Sequence, residues 1–102
     1  MKHLLVRYKV KADKVDENLA FIGQVFRQLE RDKPAGLHYA SFRAADGVSF
    51  VHIASIATAD GSNPLTALSA FKAFTAQIRD RCDEPPLTTE LSAVGSYRFF
   101  AA

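Results

Sequence analysis

The chain has 102 residues, 48% of them hydrophobic and 24% charged, a balance that fits one ordinary globular domain and excludes a disordered or fibrous chain. Its formal charge of +2 is spread among acids without a basic run, which argues against a nucleic-acid partner, and its single cysteine excludes an internal disulfide framework. The charged opening "MKHLLVRYKVKADK" lacks the apolar segment of a signal peptide or membrane span, so a cytoplasmic protein without a membrane partner is expected.

The segment "KHLLVRYKVK" alternates, with Leu4, Val6, Tyr8 and Val10 on one face and His3, Leu5, Arg7 and Lys9 on the other, which predicts a strand. From Asp13, a plausible N-cap, the period changes: Val15, Leu19, Ile22, Phe26 and Leu29 recur at helical steps. "RDKPAG" should end that helix, because Pro34 disfavours helical geometry at Lys33 and Gly36 relaxes the next turn. Two strands follow, "LHYASFRA" and "VSFVHIASIA", joined through the hairpin pair Asp46-Gly47, with Gly47 expected at positive φ. In "DGSNPL", Asn63 can cap and Pro64 can start a second helix, which Leu68, Phe71, Phe74, Thr75 and Ile78 continue. After "RCDEPP", the stretch "LTTELSAVGSYRFF" reads as a final strand interrupted by Gly95.

The order β-α-β-β-α-β predicts an α+β, ferredoxin-like single domain over residues 1–102, a four-stranded antiparallel sheet with both helices on one face. Hairpin parity puts Tyr39, Ser41 and Arg43 on one face with Phe50, His52, Ala54 and Ile56. Val51 and Ile53, with Ala40 and Phe42, suit the helix side beside Leu4, Val6, Tyr8 and Val10. The uncovered face would then carry Leu5, Leu37, Phe50 and Ile56 beside Arg7, Tyr39, Arg43 and His52. That mixture is too apolar for water and too polar for a dry core, which suggests a cavity closed by a second copy in a homodimer.

These features resemble the dimeric α+β barrel proteins, in particular the antibiotic-biosynthesis-monooxygenase-like group of small homodimers. The resemblance rests on the element order, on "FVHIASIATADGSNPLTALSAFKAF" and on "VGSYRFF", and it covers essentially the whole chain. It implies a monooxygenase that needs no flavin, metal or other cofactor and takes a small aromatic or polyketide-like molecule in the barrel cavity. Members of the group typically rely on Asn, Trp and Arg or His there. This chain has no tryptophan, and its asparagines, Asn18 and Asn63, fall in the first helix and in a loop.

Within the expected cavity, His52 is the candidate base, since a neutral imidazole accepts a proton at neutral pH; its structural alternative is a bond to Ser41 or Tyr39. Arg7 is the candidate anion stabiliser, and Tyr39, Ser41, Arg43, Phe50 and Leu5 are candidate ligand contacts. Cys82 reads as inert, and no histidine pair has metal-ligand spacing. The alternative function is a non-catalytic dimeric module that binds a small hydrophobic ligand, in sensing or stress protection.

Overall fold

A computed structural model describes residues 1–99. Strand β1 (Lys2–Val10) leads through a short 3-10 turn (Ala12–Lys14) into helix α1 (Val15–Asp32). The hairpin strands β2 (Leu37–Arg43) and β3 (Ser49–Ile56) follow, then a 3-10 turn (Pro64–Ala67), helices α2 (Ser69–Ala76) and α3 (Ile78–Arg81), and strand β4 (Cys82–Leu91). All three pairings are antiparallel, in the order β2-β3-β1-β4. The expected α+β architecture is therefore present.

Local chemistry sets the boundaries. Lys33 ends α1 in the left-handed region (φ 45°), its amide bonded to the Leu29 carbonyl, immediately before Pro34. Asn63 caps as expected, its Oδ1 accepting from the Leu65 amide with Pro64 next in the chain, although the turn it caps is 3-10 and α2 starts later. Asp13 is not the N-cap of α1: it lies inside the preceding 3-10 turn, and the helix starts at Val15 with no side-chain cap. The stripe of α1 is also rotated from the expected one, because Asn18 and Val25 are its fully buried residues while Leu19 is 39% exposed.

The final strand begins earlier than the sequence suggests and ends at Leu91, so it contains Pro85 and Pro86. An edge strand tolerates them because one row of its amides needs no partner. Residues 92–99 continue beyond it without regular structure, and Phe100, part of the expected strand, lies outside the described residues.

The helix-covered core brings together Tyr8 and Val10 of β1, Phe50 and Ala54 of β3, Val25 of α1 and Phe74 of α2. This corrects the facing of the hairpin. Register pairs Val6 with His52 and Tyr8 with Phe50, and partners across antiparallel strands share a face. Phe50, His52, Ala54 and Ile56, with Leu37, Tyr39 and Ser41 opposite them, therefore face the helices rather than the open side. Val51 and Ile53 face outward beside Leu5 and Arg7. The greater apolarity of Val51 and Ile53 misleads because the outer face is itself apolar, with Phe42, Leu87 and Leu91 exposed on it.

Candidate functional site

Between sheet and helices lies a cavity of about 220 Å³. Leu4, Val6 and Ala54 form part of its sheet side, Phe71, Phe74 and Ile78 its helical side, and Asn63 and Leu65 one wall. Tyr8, Tyr39 and His52 supply most of its polar chemistry.

His52 is 4% exposed and has three side-chain hydrogen-bond partners. Its Nε2 lies 2.7 Å from the Tyr8 hydroxyl, and its Nδ1 lies 2.5 Å from Ser41 Oγ and 3.0 Å from the Tyr39 hydroxyl. The bonds to Ser41 and Tyr39 are the structural alternative anticipated from sequence; Tyr8 is an additional partner. The rings also stack: Tyr8 and His52 have centroids 5.3 Å apart and planes 8° apart, and Tyr39 stacks on the other side at 5.9 Å and 15°. Phe50 against Tyr8 and Phe26 against Tyr39 extend the row in both directions.

Proton positions in this network follow from its far end. Arg81, 3% exposed, donates from its guanidinium to the Phe74 carbonyl at 2.6 Å and to Asn18 Oδ1 at 3.4 Å. Phe21 and Phe74 cover its two sides, with ring centroids 4.6 and 5.5 Å from the guanidinium carbon. Arginine has no acceptor, so the amide of Asn18 must turn its oxygen to Arg81 and its NH₂ to Tyr8, 3.0 Å away. The Tyr8 oxygen accepts there, which frees its proton for His52 Nε2. A neutral imidazole accepting at Nε2 carries its proton on Nδ1 and donates it to Ser41 or Tyr39.

Burial reinforces neutrality throughout the row. It lowers the His52 pKa from 6.5 to about 4 and raises the Tyr8 and Tyr39 phenols above their ordinary value, with the Asn18 bond partly opposing the rise at Tyr8. Both imidazole nitrogens are thus committed within the protein, and His52 meets a ligand only through its neighbours' hydroxyl groups.

The remaining candidates separate. Tyr39, Ser41, Phe50 and His52 stay together under the helices. Arg43 shares their parity, opposite Phe50, but is exposed at the end of β2. Leu5 and Arg7 occupy the opposite sheet face, so Arg7 does not share a cavity with His52 in this chain. Sequence reasoning missed Asn18 and Arg81. Their signal was a polar residue on an apolar helical spacing: Asn18 lies in step with Ile22, Val25 and Leu29, and Arg81 in step with Phe74 and Ile78. Asn63 also lines the cavity although it lies in a connecting segment, and no hydrogen bond among the described residues occupies its NH₂. Cys82 is buried and its thiol pushed up by burial, against the reactive direction.

Among the described residues, no helix is long and apolar enough to cross a membrane and no group of three or more His, Cys, Asp or Glu side chains is placed to hold a metal ion. No protein-family model and no curated protein matches the chain. Solved structures do. A crystal structure of an antibiotic biosynthesis monooxygenase matches with TM-score 0.76 at 18% identity, covering 93% of this chain and 100% of its own. Rv0793 from Mycobacterium tuberculosis matches with TM-score 0.75 at 14% identity, covering 93% and 96%. A variant of SnoaB, a cofactor-independent oxygenase from Streptomyces nogalater, matches with TM-score 0.68 at 16% identity, covering 93% and 94%. Over nearly its whole length, then, the chain has the fold of the antibiotic biosynthesis monooxygenase structures.

Proposed function

We propose that the chain is a cofactor-independent oxygenase that oxidises a small aromatic molecule in the cavity beneath its helices. The observation that carries this reading is a polar row, Tyr8, His52 and Tyr39, set in the wall of a mostly apolar cavity with the imidazole neutral at rest. SnoaB, which shares the fold, supports the reaction class.

In this reading the substrate is a phenol or its activated CH₂ tautomer. Its proton passes to the Tyr8 oxygen as the Tyr8 proton moves to His52 Nε2, and the Asn63 NH₂ donates to the substrate oxygen. Imidazolium and substrate anion then form as a pair, which a dry site favours over either charge alone. The carbanion adds to dioxygen to give a hydroperoxide, and loss of water leaves a ketone. One oxygen atom ends in the product and the other in water, and the substrate supplies all the electrons.

The functional unit is proposed to be a homodimer joined through the outer sheet face, where Leu5, Val51 and Ile53 are half-buried and Phe42, Leu87 and Leu91 are exposed. Arg7 then lies at that interface rather than over the substrate.

The test is oxygen uptake by chelator-treated protein with a panel of phenols and hydroquinones. Uptake above the protein-free rate is expected, falling at least tenfold in a folded His52→Ala variant. One specific observation favours the second reading, a non-catalytic binding module: both nitrogens of His52 are engaged internally. Saturable binding without uptake across the panel would establish that reading instead.

A further inference from the structure

We infer that the cavity selects an uncharged molecule of one substituted ring or two fused rings, and that Phe71 sets its upper size limit. The inference rests on the reading of the cavity as a ligand site, but not on whether that ligand is oxidised.

Size comes from the volume, about 220 Å³. An apolar protein cavity of about 150 Å³ takes a single benzene ring. The same ratio gives room here for roughly nine non-hydrogen atoms. Three or four fused rings exceed that. On the helical side the bounding residues are Phe71, Phe74, Thr75 and Ile78. Phe74 is core, 4% exposed and packed against Tyr8 and His52, whereas Phe71 is only half-buried and touches Phe74 at a centroid distance of 6.1 Å. Phe71 is therefore the large aromatic side chain that limits the space from the edge of the core rather than from within it.

Charge selection comes from the lining. No acidic or cationic side chain contributes to it, and His52, buried and already bonded at both nitrogens within the protein, is neutral. The buried cation among the described residues, Arg81, does not line the cavity, and it bonds to Asn18 and the Phe74 carbonyl beneath two aromatic rings. A carboxylate entering the cavity would lose its water and find no cation there. A phenol or ketone of the same size loses far less.

The experiment is equilibrium titration of the full chain at pH 7 with 4-ethylphenol, benzoate, indole and anthrone, read by calorimetry. The first two have equal numbers of non-hydrogen atoms and differ in charge; the last has three fused rings. We expect 4-ethylphenol and indole to bind at least tenfold more tightly than benzoate or anthrone. In Phe71→Ala, anthrone should gain at least tenfold while benzoate stays excluded; Ile78→Ala serves the same purpose if the first variant does not fold. Equal binding of benzoate and 4-ethylphenol overturns the charge selection. Tight binding of anthrone to the unaltered protein, or no gain in either enlarged variant, overturns the size limit. If none of the four binds, the cavity is not a ligand site and both this inference and the oxygenase reading fall.

Discussion

In the unfolded chain the imidazole of His52 takes up a proton near its ordinary pKa of 6.5, whereas in the fold burial delays that uptake until about 4. Between those values the unfolded state binds more protons, so the stabilisation is complete above pH 6.5 and is lost as the pH falls toward 4. The loss should be about 1.4 kcal/mol by pH 5.5 and roughly 3 kcal/mol by pH 4. Thermal or denaturant melts across this range check it, with His52→Gln as control: the variant should lack this part of the acid slope, and equal slopes would assign the loss to other groups. The role of His52 was only half legible in sequence. Its bonding to Ser41 and Tyr39 followed from shared parity across the hairpin, but the burial of that face did not. A histidine looks unsuited to a core until its partner Tyr8 supplies a hydroxyl proton, and Tyr8 lies 44 positions away in the chain.

At the level of elements, turns were the best-read features because their chemistry is local. Gly47 sits at φ +81°, as the Asp46-Gly47 pair predicts, and Asp46 secures the loop by accepting from the amides of Val48 and Ser49. A Cβ at Gly47 would meet nothing within 4 Å, so Gly47→Ala should cost only the backbone term, roughly 1 kcal/mol. A chemical denaturation midpoint that does not move would show that the loop relaxes to another turn type. Elements whose limits depend on distant partners were read less well. The start of β4 is set by pairing with β1, including Cys82 opposite Val10, rather than by the prolines that follow it. The buried stripe of α1 is set by what lies beneath it: Asn18 is wholly buried because Tyr8 and Arg81 both need its amide.

At the scale of the whole molecule, the element order alone carried the α+β architecture, since few arrangements of that order bury one face of every element. The choice of sheet face was not legible, because both faces of β3 are apolar enough to be covered. That ambiguity is itself informative: the outer face leaves Phe42 49% and Leu87 51% exposed. Covering such side chains is worth roughly 1.5 to 3 kcal/mol each. Phe42→Asp should therefore shift a dimer toward monomer in sedimentation without changing its circular dichroism, and a monomeric unaltered protein at micromolar concentration would remove the interface. The row of stacked rings also determines what the molecule looks like to light. With no tryptophan and three tyrosines, the chain's absorbance near 280 nm and above belongs to Tyr8, Tyr39 and Tyr97. The first two are fixed against His52, while Tyr97 stands 82% exposed beyond β4. On raising the pH, the 295 nm absorbance of the two enclosed rings should therefore climb only as the fold opens, giving an internal clock for alkaline unfolding that needs no added label.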